Sequence, residues 1–253
     1  MDTAISLKDV SVRLGDSPIL KDITFDVPKG ATTAIIGPNG AGKSILLKTI
    51  LNQIKKSAGS IDILGTPNEQ YRKIAPKVSY IPQKIFFDDT FPLTLEGLFS
   101  LKTKRWLGLS QKDDQKMKQL LHRVGINIPT DTRLYTLSGG QLQRVLIAYS
   151  LMDDPELVIM DEPAAGIDIT GQETIYELLK RIQQEEKITL LLVSHELDIV
   201  IRYARQVICL NQKLICAGVP HEVLSDDILQ KMYGTPVAHH IHTANSHADG
   251  HTH

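Results

Sequence analysis

Residues 37–44 read Gly37-Pro38-Asn39-Gly40-Ala41-Gly42-Lys43-Ser44, a glycine-rich turn closed by a lysine and a hydroxyl. The pattern suits polyphosphate chemistry. Backbone amides of such a turn, with those opening the helix behind it, surround phosphate oxygens. Lys43 can reach the outer phosphates, and the Ser44 hydroxyl can ligate magnesium. The same eight residues could be a plain turn, but an apolar run, Ala31 to Ile36, precedes them and a helical pattern, Ile45 to Ile54, follows. Strand, glycine loop and helix in that order are the context a nucleotide phosphate site requires.

Magnesium at such a loop needs an acidic partner. Leu157-Val158-Ile159-Met160-Asp161-Glu162-Pro163 supplies one, four apolar residues of a buried strand ending in two carboxylates. Asp161 is the metal-side candidate. Glu162 points to the opposite side of the chain or to the strand's tip, where it can take a proton from an attacking water. One acid serves binding; two point to hydrolysis. Leu137-Ser138-Gly139-Gly140-Gln141 reads by itself as a capping box on the helix bearing Leu142, Val145, Leu146 and Tyr149. His195, behind the apolar run Ile188 to Val193, reads by itself as a helix-entry or core histidine.

These residues need a scaffold that alternates strand and helix. Before the glycine loop, period-two alternation (Ile23, Phe25, Val27) between turn clusters predicts short antiparallel strands. After it, Ser60 to Leu64 and Lys77 to Ile81 read as strands. From about 90 to 154 the pattern turns helical: Ser110 and Asp113 form a capping box, Met117, Leu120, Leu121 and Val124 a stripe, and Gly125 a stop. Then come a strand over Leu157 to Met160, a helix from Thr170 capped by Glu173, a strand over Ile188 to Val193, a hairpin from Val207 to Ala217 and two short helices. The alternation predicts an α/β fold with a mostly parallel sheet, an N-terminal antiparallel β-subdomain and an inserted helical subdomain. Residues beyond Gly234 are polar, histidine-rich and aperiodic, and are expected to be disordered.

Composition narrows the function classes. With 28 Lys and Arg against 29 Asp and Glu, and 5% aromatics, the chain offers neither a basic footprint nor a stacking platform for nucleic acid. No apolar run approaches the 18 or so residues of a membrane span. The opening residues, MDTAISLKDV, have no basic start and no apolar run, which predicts a cytoplasmic protein. Cys209 and Cys216 sit in apolar stretches and are expected to be small core residues without a structural disulfide.

Placed between the glycine loop and LVIMDEP, Leu137 to Gln141 makes the chain resemble the nucleotide-binding subunits of ATP-binding cassette (ABC) transporters, over residues 3 to about 232. Gln83 in YIPQ resembles the family's glutamine loop, Ala165-Gly166-Ile167-Asp168 its aspartate loop and Ser194-His195 its switch histidine. The resemblance implies a P-loop NTPase core and a head-to-tail homodimer binding two ATP. Each ATP, with Mg2+, would lie between Gly37 to Ser44 of one chain and Ser138, Gly139, Gly140 and Gln141 of the other. It further implies Glu162 as general base, His195 as contact to the outer phosphate, and Gln83 as link from magnesium or water to a membrane permease. The magnesium set is Ser44, Gln83 and Asp161. An extracellular or periplasmic binding protein is an indirect partner, and the cytoplasmic face of the cell membrane the expected location. One departure stands out: where the family carries an aromatic that stacks on adenine, this chain has Leu14, beside Arg13.

Asp88 to Gly97, DDTFPLTLEG, resembles the stretch found in subunits that import zinc, manganese or iron, although Phe86, Phe87 and Phe91 could dock any permease. Six of the nine histidines (His239, His240, His242, His247, His251, His253) fall in the last fifteen residues, and imidazoles are common ligands for zinc and nickel. A solubilising tail is the alternative. The expectation is the ATPase of a divalent-metal importer; other cargo (siderophore, vitamin, phosphonate) or a soluble ABC ATPase of an assembly or regulatory complex are the competing readings.

Overall fold

The computed structural model describes residues 2–83, 92–103 and 108–233. The chain opens with two long strands, β1 (Thr3–Leu14) and β2 (Ser17–Pro28), then β3 (Thr32–Ile36) and α1 (Lys43–Ile50). β4 (Ala58–Ile63), β5 (Thr66–Pro67), α2 (Tyr71–Ile74) and β6 (Val78–Ile81) follow. Three helices come next: α3 (Leu95–Thr103), α4 (Gln111–Arg123) and α5 (Gly139–Ser150). The last part alternates β7 (Leu157–Asp161), α6 (Ile169–Glu186), β8 (Thr189–Val193) and α7 (Leu197–Tyr203). It closes with the hairpin β9 (Gln206–Asn211) and β10 (Lys213–Gly218), then α8 (Pro220–Val223) and α9 (Asp226–Tyr233).

The strands form an antiparallel sheet ordered β2-β1-β4-β5 and a second sheet ordered β10-β9-β3-β8-β7-β6. Every neighbouring pair from β9 to β6 is parallel, and β10 is antiparallel to β9. The α/β class and the two sheet types agree with the sequence reading. Parity decides which core each strand residue joins. Leu157 and Ile159 of β7, with Leu191 and Val193 of β8, face a core shared with β1, β2, β4 and α1. Val158, Met160, Leu190 and Leu192 face the other way, onto α3, α4, α5 and α6. Both faces of the parallel sheet are therefore dry, as uninterrupted apolar runs require.

Several local expectations are corrected. The N-terminal strands are 12 residues each rather than short, bending through irregular register at Asp9 and Asp22, which take positive φ. α1 begins at Lys43 and ends at Ile50, because Asn52 adopts φ 55° and stops it. α6 starts at Ile169 behind Asp168, not at Thr170, and Asp168 makes no side-chain cap bond. The α4 cap holds, with Ser110 Oγ accepting from the Asp113 amide at 3.2 Å. Cys209 and Cys216 are directly opposed in the β9–β10 register and bridged as a disulfide, against the expectation of two unbonded core residues. Phe86, Phe87, Phe91, the first four residues of DDTFPLTLEG (88–91) and the histidine-rich tail lie outside the described residues.

Candidate functional site

Four adjacent parallel strands each hand one feature to the same edge of the sheet. Gly37 follows the last residue of β3, His195 lies two residues past β8, Glu162 one past β7 and Gln83 two past β6. Because the strands are parallel and in register, their carboxyl ends form a single crevice, where open α/β sheets bind ligands.

The glycine loop lies closely against β9. A Cβ on Gly37 would collide with the Leu210 carbonyl oxygen, so only glycine fits there. Gly40 takes φ 80°, a left-handed conformation that turns the loop back toward α1. The loop is tied to the β9–β10 turn by the Gln212 amide, which donates to Ala41 O at 2.9 Å. Lys43 is buried, and its Nζ donates to Gly37 O (2.6 Å) and Pro38 O (3.0 Å), bracing the turn from within. Burial pushes the Lys43 pKa down, and the Glu162 and Asp161 carboxylates partly offset this.

Asp161 shares parity with Leu157 and Ile159, so it faces α1, where the Ser44 hydroxyl bonds to it. It is 5% exposed, and burial raises its pKa; the Ser44 bond opposes that rise, Glu162 adds to it, and Lys43 and Lys48 oppose it. Glu162 leaves the strand's parity through a left-handed backbone, φ 51°, fixed by its amide donating to Val193 O at 3.0 Å. That turn swings its carboxylate to the sheet's tip. There it accepts from Gln83 Nε2, and its Oε1 lies 3.5 Å from His195 Nδ1. The Ser194 amide bonds Ile35 O (3.1 Å) and Ser194 Oγ accepts from the Glu196 amide (3.1 Å), so the turn presenting His195 is anchored on β3.

Two spaces that share Asn39, Gln83 and Glu162 in their walls result. One of ≈ 270 Å3 is bounded by Asn39 to Ile45, Ile19, Gln83 and Glu162. The other, ≈ 460 Å3, is bounded by Gly37 to Asn39, Gln83, Glu162, His195 and Tyr233. Ile19 and Tyr233 were not foreseen. Ile19 is an ordinary strand residue in sequence, and Tyr233 ends a short helix 38 residues after His195, so neither carries a local signal.

Ser138 to Gln141 are not part of this crevice. They open α5 with the expected capping box: Ser138 Oγ accepts from the Gln141 amide (3.3 Å) and Gln141 Oε1 from the Ser138 amide (3.0 Å). With Gly166 to Asp168 they border a separate cleft of ≈ 770 Å3 that includes no residue of the glycine loop. Leu14 is 46% exposed at the end of β1, and Arg13 is turned away to its own hairpin, donating to Asp16 O at 2.6 Å.

The donors fit magnesium. Ser44, Asp161 and Gln83 offer a hydroxyl, a carboxylate and an amide, and a cradle only glycine can form lies beside them. Among the described residues no group of three or more His, Cys, Asp or Glu could enclose a metal by itself. Magnesium is commonly held by one or two carboxylates plus substrate phosphates and water. No helix among the described residues is long and apolar enough to cross a membrane.

The family described as ABC transporter matches residues 20–165. Zinc import ATP-binding protein ZnuC 1 of Hahella chejuensis is 37% identical over 234 residues, covering 92% of this chain and 85% of that one. Among solved structures, cbiO1 from Clostridium perfringens, part of the ABC transporter complex cbiONQ, superposes with TM-score 0.79 at 28% identity, covering 91% of this chain and 94% of that one. The dimeric post-hydrolysis ATP-binding cassette MJ0796, bound to ADP and phosphate, gives TM-score 0.72 at 26% identity, covering 85% and 98%.

Proposed function

The chain belongs to the ABC transporter family, and from that membership we propose that it is the energy-coupling subunit of a divalent-metal importer, with zinc the foremost cargo. It hydrolyses ATP to drive transport. In this reading residues 3–232 are one ATP-binding domain, residues from about 90 to 154 are its helical insertion, and 234–253 are a tail outside it.

One observation carries the mechanism: Gln83, Glu162 and His195 converge on the glycine-loop crevice, whereas Ser138 to Gln141 border another. A helix N-terminus favours an anion, and this one borders a space that includes no residue of the chain's own glycine loop. Two copies packed head to tail would bring the two halves together around each ATP. The dimer would sit on the cytoplasmic face of a membrane permease, supplied by an extracellular or periplasmic binding protein. Zinc as cargo is supported by the name of the Hahella relative and by the imidazole-rich tail.

Within each site the glycine-loop amides and Lys43 hold the outer phosphates. Ser44, Asp161 and Gln83 would hold magnesium, which when bound neutralises charge on those phosphates. Glu162, turned to the tip of the sheet, accepts the proton of the attacking water. His195 stands 3.5 Å from it and contacts the phosphate being cleaved. Gln83, bonded to Glu162, couples the site to the permease.

Glu162→Gln tests this directly. It keeps the side chain's size and removes the proton acceptor, and general-base assistance is commonly worth about 10²–10⁴-fold. Phosphate release should fall by at least the lower figure, with magnesium-ATP affinity by calorimetry unchanged. Turnover close to wild type would remove Glu162 from the role.

A further inference from the structure

The aim of His195 depends on the turn that carries it. Its imidazole is half exposed, with Glu162 Oε1 3.5 Å from Nδ1 and Glu196 Oε1 4.0 Å from Nε2, and neither distance is that of a firm hydrogen bond. The turn itself is bonded through Ser194, whose amide donates to Ile35 O and whose Oγ accepts from the Glu196 amide. Ser194 is buried, 3% exposed, so whatever packs behind it fixes the ring in front.

The side chain behind it is Tyr176 of α6. Tyr176 is 3% exposed, its hydroxyl faces Ser194 Oγ at 3.5 Å, and its ring stacks on Tyr203 with centroids 6.0 Å apart and planes at 23°. Tyr203 ends α7, so one residue of α6 touches both ends of the segment 194–203. Tyr176, Ser194 and Tyr203 bound an internal space of only ≈ 10 Å3, which leaves the turn little room to shift. Phenylalanine would fill the same place and make the same stack. A buried hydroxyl costs desolvation unless it is bonded, and Ser194 is the partner this one has among the described residues. Burial pushes the Tyr176 pKa up to about 12, which keeps the hydroxyl a donor at neutral pH.

We propose that Tyr176 is a positioning residue for hydrolysis: its hydroxyl, through Ser194, and its ring, through Tyr203, hold the turn that aims His195 into the crevice. Tyr176 touches neither phosphate nor water. Its effect passes through the imidazole, where a misplacement of about 1 Å can cost as much as 10²-fold in rate. The inference rests on His195 contacting the phosphate being cleaved, and the test separates the two claims.

Phosphate release from magnesium-ATP is measured on the full chain as wild type, Tyr176→Phe, His195→Ala and the double variant, under single-turnover conditions that keep slow variants measurable. Tyr176→Phe should lower the saturating rate at least about fivefold, leave the half-saturating ATP concentration within about twofold, and melt within about 3 °C of wild type. In the His195→Ala background the same change should cost less than about twofold, because no imidazole is left to aim. Ser194→Ala breaks the link from its other side and should slow the rate at least as much; if Tyr176→Phe melts lower than expected, this variant decides by the same cycle. A smaller loss beside a slow His195→Ala, a loss carried by the half-saturating concentration, or a comparable loss in both backgrounds would overturn the proposal. Turnover of His195→Ala close to wild type would instead remove His195 from the phosphate, and the inference would fall with that reading.

Discussion

Asp161 and Glu162 are adjacent in sequence and have opposite environments, and the backbone accounts for the difference. Asp161 keeps the strand's parity and is buried against Ser44, while Glu162 breaks parity through φ 51° at a strain of about 1–2 kcal/mol for a residue with a Cβ. Burial raises the folded-state pKa of Asp161 above its unfolded value. The folded state then binds that proton more tightly, so the contribution of this group to stability falls as pH rises through the window between the two values. Asp161→Asn should therefore melt no lower than wild type near neutral pH, with the difference shrinking as pH is lowered, while magnesium-dependent ATP binding weakens at least tenfold. Differential scanning at several pH values and calorimetry check the two halves. A melting loss that grows as pH rises would mean that the Ser44 bond outweighs burial. Of the residues lining the crevice, Gly37 to Ser44, Gln83, Glu162 and His195 were legible, because phosphate and proton chemistry would constrain their types and spacing. Tyr233 was not, because its place beside His195 arises from the packing of Leu229 and Met232 on the far end of the chain.

At the scale of elements, the glycine loop is shaped from two sides. Gly40 needs its positive φ but has open space around it, whereas Gly37 is pressed on the Leu210 carbonyl of β9. The two substitutions should separate strain from collision. Gly40→Ala should cost about 1–2 kcal/mol of stability, the ordinary charge for a left-handed residue with a Cβ. Gly37→Ala must displace either the loop or β9, and should lose more stability together with at least tenfold in ATP affinity. Denaturant midpoints at unchanged slope measure the first quantity, and equal losses for both variants would show that the β9 contact is not constraining. Strand and helix identities could be read from period and punctuation, because buried parallel strands are apolar runs and α4 and α6 carry clear stripes. Boundaries drifted where tertiary structure decided them. Asn52 ended α1 early through a left-handed backbone that its neighbours do not announce, and the cysteine bridge depends on the β9–β10 register, which a separation of seven residues does not reveal.

At the scale of the whole molecule, the glycine loop and Ser138 to Gln141 of one chain border different spaces, and the proposed reading has each site completed by a second copy. In a Glu162→Gln background, saturating magnesium-ATP should shift the protein to twice its monomer mass in light scattering, since hydrolysis no longer reopens the pair. Adding Ser138→Arg places a bulky side chain at the mouth of the ≈ 770 Å3 cleft and removes the hydroxyl that accepts from the Gln141 amide. If each ATP is shared between copies, this double variant stays monomeric at the same ATP concentration and still binds one ATP per chain through Gly37 to Ser44. If instead a chain's own Ser138 to Gln141 folded onto its own phosphate site, the arginine would abolish binding along with dimerisation. Calorimetric stoichiometry beside the mass therefore decides the arrangement, and a double variant that dimerises normally would remove Ser138 from the interface. The loss of the α5 cap is expected to cost about 1 kcal/mol and to leave the fold intact, so an unfolded double variant would be recognised by its melting curve rather than mistaken for a failure to pair.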